Sequence, residues 1–439
     1  MSIGLARLRE EPDRIRQGAI DKGEDPSIVD AALALEGRRR ELLGDSDRLK
    51  AERNAASKKI GEAIRAGAAP NGPDVAALRQ ASTDAGTQIE KLDAELAATE
   101  SQLEELLLRI PNPADPDVPV GDASANQTVR SWGEQLPAAA MTDGRAWTRR
   151  PHWEVAADLK MLDLERGAKI AGSGFPVYTG QGSRLQRALI DMMLDIHTAE
   201  HGMTEIWPPA MVNAASARGT GQIPDKEDLM YIVTRDELYL VPTAEVPVTN
   251  LHRDEIFEAD QLPIRYAAYS PCFRREAGAA GKDTRGILRV HQFDKVEMVF
   301  FEKPEASAEA LEWLTARAEV ILQRLGLAYR VLLMATRDMG FVQAKKYDIE
   351  VWAPGVERWL EVSSCSNFRD YQARRMAIRY RPEPGAKPEL VHTLNGSGLA
   401  LARTVAAILE TYQQPDGSLR VPEALQQYMR TDRVGRPAQ

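Results

Sequence analysis

Apolar residues recur every seventh position at Leu35, Leu42, Leu49, Ala56 and Ala63, on a segment otherwise dense in charge. So narrow a seam predicts a long helix over roughly 29–66 that pairs with another helix, since a fully buried helix needs a wider stripe. GAAPNGPD at 67–74 ends it, because Gly and Pro interrupt helices. A second seam follows in steps of three and four: Val75, Leu78, Ser82, Ala85, Ile89, Leu92, Leu96, Thr99, Leu103 and Leu106. Two helices of similar length joined by a tight turn predict an antiparallel coiled coil, an arm extending on the order of 50 Å. Residues 1–28 read as a short helical preface.

Beyond the arm the pattern changes. PNPADPDVPVGDASANQ at 111–127 carries four prolines and reads as a stiff linker. Helical spacing returns over 183–202, 307–325 and 391–413, the last entered through a loop NGSG. MTEIWPPAMVN at 203–213 reads as a strand confined by Pro208 and Pro209 to an edge or an interface. Between Ile264 and Phe301, two runs of period two flank a loop with Gly278, Gly281 and Gly286, the pattern of two antiparallel strands. Side chains two apart share a face, which groups Arg274 with Glu276, and His291 with Phe293, Lys295 and Glu297. A guanidinium, an aromatic ring and carboxylates make a poor core and a good pocket for a nucleotide and an amino acid. An ordinary half-solvated hairpin fits the pattern equally well.

Composition narrows the class. The chain has 439 residues, 43% hydrophobic and 28% charged, enough for two or three soluble domains. Its net charge of -9 means that any nucleic-acid contact must come from a local patch. Residues 35–66 supply one, with nine Lys/Arg against six Asp/Glu, whereas residues 74–109 have three against eight. A solvated, ion-paired face fits the same counts. Two cysteines and six scattered histidines offer no disulfide framework or zinc spacing, which suits a reducing, cytoplasmic setting. The charged N-terminus is no signal peptide, and no apolar run is long enough to span a bilayer.

FRREAG followed by RVHQFDKVEM resembles motif 2 of the class II aminoacyl-tRNA synthetases, in the form of the seryl-tRNA synthetases. TAEVPV at 243–248, EVSSCSNFRDYQARR at 361–375 and NGSGLALAR at 395–403 resemble further signatures of that family, in the same order. The helix and proline-rich strand over 183–213 are similar to motif 1, which implies a homodimer interface. The resemblance implies an α+β fold: an antiparallel catalytic sheet flanked by helices, with the N-terminal coiled-coil arm. The expected domains are a tRNA-binding arm at 1–110, the linker at 111–127 and a catalytic domain at 128–439.

It also implies an activity, the joining of L-serine and ATP into seryl-adenylate and transfer of serine to the 3′ end of tRNA(Ser), with tRNA(Sec) as a further acceptor. A carboxylate attacking a phosphate needs cations and orientation. Arg274 and Arg403 are implied to meet the α- and γ-phosphates. Glu276 is implied at the adenine, with Phe293 stacked on it and Val290 beside it, and Arg275 is implied as a further ATP contact. Glu361 and Ser364, with Val362 and Ser363 between, are implied to bind ATP and its Mg²⁺. Strict alternation puts Glu361 and Ser364 on opposite faces, so the strand must end or bulge there. Thr243, Ala244, Glu245, Glu297, Asn395 and Ser397 are the implied serine contacts. The residues do not decide which carboxylate takes the ammonium.

Two positions depart from the family pattern: Gly174 where arginine is frequent, and Arg337 where glycine is common. They motivate a second reading, a copy of the enzyme tolerant of a seryl-adenylate mimic. A third reading is a ligase that charges a carrier-protein thiol, although such homologues lack the arm. A fourth is a catalytically dead tRNA-binding protein, which the intact Arg274, Glu297, Glu361 and Arg403 oppose.

Overall fold

Seam residues turn inward along two long helices, α1 (Ser27–Arg65) and α2 (Pro73–Leu108). Leu42, Leu49, Val75, Ile89 and Leu103 are buried between them. Their pairing is antiparallel, since Arg39 reaches Glu100, Arg38 reaches Glu95 and Lys50 reaches Asp93. Polar residues also enter the seam. Ser46 donates to Asp93 at 2.8 Å, and Glu36, 1% exposed, sits between Arg9 and Arg39. Much of the basic surface expected on α1 is therefore spent within the arm. Among the described residues Arg40, Arg53 and Lys59 form no ion pair and stay exposed.

The computed structural model describes residues 3–276 and 285–435; the expected loop with Gly278 and Gly281 lies outside them, and Gly286 within. The chain divides into two compact units, Met1–Pro111 and Asn112–Gln439. From Asn112 onward the stretch expected as a stiff linker is bonded to the second unit. Asn112 donates to the carbonyls of Val342 and Phe368, and Asp115 pairs with Arg369, so this stretch is part of the second unit.

That unit is α+β. Its eight-stranded sheet comprises β1 (Gln127–Trp132), β2 (Thr204–Ile206), β3 (Ile264–Phe273), β4 (Gln292–Glu302), β5 (Tyr329–Leu333), β6 (Lys345–Ala353), β7 (Arg358–Arg369) and β8 (His392–Ala400). The spatial order is β1-β5-β6-β7-β8-β4-β3-β2, antiparallel except for the β3–β2 pair. Both faces of the sheet are covered along the second half of β4, where residues 298–301 form a continuous apolar run. Met298 and Phe300 enter the core beneath the helices Gly180–Asp195, Ser307–Arg324 and Leu401–Tyr412. Val299 and Phe301 point the other way, into a second cluster with Phe257, Met376 and Ile378. Among the described residues no helix is long and apolar enough to cross a membrane.

Two expected elements differ. The 203–213 stretch is two short strands, Thr204–Ile206 and Met211–Asn213, in different sheets, because Pro208 and Pro209 cannot continue a ladder. NGSG is strand β8, not a loop. Its glycines serve close approach, since a Cβ on Gly396 would lie 2.2 Å from Leu314 Cδ2.

Candidate active site

A cavity of about 510 Å³ opens on the sheet where β3, β4, β8, β7 and β6 lie side by side. Alternation along β4 sends Phe293, Lys295 and Glu297 into it. Arg274, just past β3, lies over Phe293, its guanidinium carbon 5.2 Å from the ring centroid, and its Nε donates to Pro242 O at 3.4 Å. Glu276 also lines the cavity, though not by strand alternation. Its φ of 49° is left-handed, an uncommon conformation for a residue with a side chain. Arg289 holds its carboxylate at 2.5 Å.

The β7 bulge is present. Ile349 pairs with Ser363 and Glu350 with Glu361, leaving Val362 as the extra residue. Glu361 and Ser364 thereby both face the cavity, with Val362 and Ser363 between them on the lining. Arg403, at the start of the last long helix, donates to Leu288 O at 3.0 Å and Glu361 O at 2.9 Å. Against the cost of burial, the charges of Lys346, Arg403 and Arg274 hold Glu361 below the ordinary carboxylate range.

Two further carboxylates sit at the other end. Glu245, 7% exposed, accepts from Gln372 Nε2 at 2.6 Å and Asn395 Nδ2 at 2.7 Å. Burial, then the neighbouring charge of Glu297, pushes its pKa up to about 7. Glu297, 1% exposed, is ion-paired to Lys295 and accepts from Thr243 Oγ1 at 3.0 Å. Its Oε1 is buried with no hydrogen-bond partner. An acceptor left open in a cavity wall is costly unless a ligand donates to it. Ser397 and Asn395 complete this end, and Glu297 pairs with Ser397 across a second bulge, in β8.

Three expected members fall elsewhere. Ala244 is fully buried in the apolar cluster with Val299 and Phe301, outside the cavity lining. Arg275 turns away from its neighbour and donates to Asp228 O at 3.0 Å, tying down the segment that carries Lys226. His291 precedes β4 and stacks on Phe175, outside the lining, so its expected place beside Phe293 is corrected. Gly174 and Arg337 also lie outside the lining.

Some lining residues had no role expected from the sequence. Lys346, on β6, lines the cavity and pairs at 3.1 Å with Asp348, two residues on and buried beneath the lining. Alternation of charged with apolar residues in KKYDIEV was the signal for them. Gln372 stood within a quoted motif, yet its reach to Glu245 needed the fold.

A family model described as the tRNA synthetase class II core domain (G, H, P, S and T) matches residues 231–412, and one described as the seryl-tRNA synthetase N-terminal domain matches residues 3–114. A serine--tRNA ligase of Gemmatimonas aurantiaca is 52% identical over 425 residues, spanning 96% of this chain and 97% of the relative. The crystal structure of seryl-tRNA synthetase from Pyrococcus horikoshii complexed with ATP is 36% identical, with a TM-score of 0.92 over 99% of this chain and 100% of that one. That of the cytoplasmic serine--tRNA ligase from Naegleria fowleri in complex with AMP is 28% identical, with a TM-score of 0.88 over 99% of each chain. With identity of this order sustained along whole chains, and with both family models in place, the protein belongs to the serine--tRNA ligase family of class II aminoacyl-tRNA synthetases.

Proposed function

We propose that the single cavity performs both steps of the family's reaction, activating L-serine with ATP and passing the serine to a tRNA 3′ end. The observation that carries this reading is its division into a cationic end and a carboxylate end. Arg274 and Arg403 sit where a triphosphate would need charge, and their partners are mostly carbonyls, which leaves guanidinium donors for phosphate oxygens. Phe293 presents a ring for adenine, and the Glu276–Arg289 pair closes that side. At the other end the open Glu297 Oε1 accepts a donor of serine, its ammonium or hydroxyl, with Thr243, Ser397 and Asn395 around it. A site built from hydrogen bonds to a hydroxyl discriminates against alanine, which would leave those groups unpaired.

The donors on β6 and β7 fit Mg²⁺ brought in by ATP. They are hard oxygens, the Glu361 carboxylate and Ser364 hydroxyl, beside a buried Asp348 whose Oδ1 has no partner. Among the described residues no cluster of three or more His, Cys, Asp or Glu could hold a metal unaided, which suits an ion carried mainly by phosphates. Such an ion would neutralise phosphate charge; this chain's part is to hold the oxygens in place.

The 1–110 segment is proposed as the tRNA-binding arm, with 111–127 as the connection and 128–439 as the catalytic domain. Supporting it are the exposed Arg40, Arg53 and Lys59 on α1. Phosphate contacts carry no base sequence, so an arm of this kind accepts tRNA(Ser) and any tRNA(Sec) whose backbone follows the same path. A homodimer is proposed; supporting it are Trp207 (75% exposed) and Met211 of the 203–213 stretch, exposed large apolar residues of the kind that marks interfaces. A cytoplasmic setting accords with the two buried free thiols, Cys272 and Cys365.

Glu297→Ala tests the site. It should raise the KM for serine about tenfold to a hundredfold, the scale of one buried charge-assisted hydrogen bond, and leave the KM for ATP unchanged. An effect on ATP alone would overturn the assignment.

A further inference from the structure

The bulge in β8 leaves Gly398 outside the ladder: Val296 pairs with Leu399 and Glu297 with Ser397, skipping it. A bulge strands backbone groups, and buried ones need partners. Here they come from the helix Gly180–Asp195 and the turn that follows it. Leu399 N–H meets Met193 Sδ at 3.3 Å, and Gly398 O lies 3.1 Å from Nε2 of His197, a fully buried residue. His197 reaches the sheet from a π-helical turn, Ile196–Glu200, a local widening common at functional sites. Glycine at 398 makes room for it, since a Cβ there would stand 2.4 Å from Nε2.

We propose that His197 is a positioning residue for amino-acid recognition: its Nε2–H holds the bulged Gly398 carbonyl and so fixes the register that sets Ser397 opposite Glu297 in the cavity. The inference rests on the reading that Glu297 and Ser397 meet serine. A carbonyl acceptor requires the proton on Nε2, so Nδ1 is bare and accepts the Nδ1–H of His201 at 3.0 Å. Burial, with His201 and Arg317 near, pulls the His197 pKa down to about 4, so the ring is neutral at working pH. Without the donor, Gly398 O is buried and unpaired. The strand relieves it by drawing Gly398 into the ladder, and a one-residue slip turns Ser397 away from the cavity face.

The test is pyrophosphate exchange with three variants of the full chain. His197→Met removes the donor and keeps the bulk. His197→Gln keeps an N–H near the Nε2 position. Ser397→Ala reports on the serine site itself. Expected for His197→Met is a serine KM raised about tenfold, an unchanged ATP KM, and a similar fall in the preference for serine over alanine. His197→Gln should restore most of both. If His197→Met does not fold, His197→Asn replaces it, since its shorter amide cannot reach Gly398. Normal serine kinetics in the Met or Asn variant, with Ser397→Ala impaired, would overturn the inference. So would equal rises in both Michaelis constants that Gln does not rescue, the mark of a merely structural role. A silent Ser397→Ala would instead overturn the site reading, and the inference with it.

Discussion

Glu245 and Glu297 are close enough for one to raise the pKa of the other, yet their surroundings differ. Amides hold both oxygens of Glu245, whereas Glu297 keeps Oε1 open beside Lys295. With its pKa pushed up to about 7, Glu245 is part protonated at neutral pH. The arriving ammonium favours the ionised form, so serine binding releases that proton. Affinity for serine should therefore rise with pH through about 7 and then level off, and Glu245→Gln should flatten the profile. A binding titration between pH 6 and 8 checks the sign; a profile in the variant as steep as in the parent would refute it. Arg274→Ala should lower serine-dependent exchange about a hundredfold to a thousandfold, as for other oriented donors removed from a transition state. Retention of the parental rate would remove Arg274 from the phosphate site. Arg274 and Glu361 line the cavity, where the family motifs rather than their own chemistry led one to expect them. The places of Ala244 and Arg275 were not legible in the sequence, because motif membership says nothing of which neighbour turns outward. Backbone direction after β3 decided that for Arg275.

Irregularities as well as regular strand alternation position the chemistry. The β7 bulge was legible, because two residues with one task stood at an odd spacing. The β8 bulge was not, since its cause lies in His197 and Met193 of a distant helix. For the same reason NGSG read as a loop: glycine signals freedom in a sequence, and here it signals crowding. Gly396→Ala should cost about 1–3 kcal/mol of stability, because the new methyl meets Leu314 and Cys365 in a packed layer. Denaturant unfolding measures this, and parental stability would contradict the packing. In the arm, the apolar seam was legible, but the buried Glu36 and Ser46 within it and the free charges were not. Arg38 and Arg39 are paired with Glu41, Glu95, Glu36 and Glu100. Neutralising Arg40, Arg53 and Lys59 should weaken tRNA charging and lower the salt slope by about one unit for each phosphate no longer neutralised. Neutralising Arg38 and Arg39 should chiefly loosen the helix pair. Equal salt slopes for the two sets would count against a phosphate-binding role for the exposed three.

At the scale of the chain, the sequence already separated an arm with no catalytic signature from a unit holding all of them. The expected end of the arm at 110 lies beside the division after Pro111; what the prolines did not reveal is that Asn112 and Asp115 bond the stiff stretch to the second unit. A truncation should therefore begin at Asn112 and not after the proline-rich stretch. That fragment should keep serine-dependent exchange and lose tRNA charging, since phosphate contacts supply much of nucleic-acid affinity. Charging by the fragment at the parental rate would show the arm dispensable. The central claim is narrower: this cavity makes an adenylate of serine. Its most direct test is ATP–pyrophosphate exchange by the full chain with each amino acid in turn. Exchange should depend on serine, with alanine and threonine far weaker. Exchange absent with serine, or as fast with alanine, would contradict the claim.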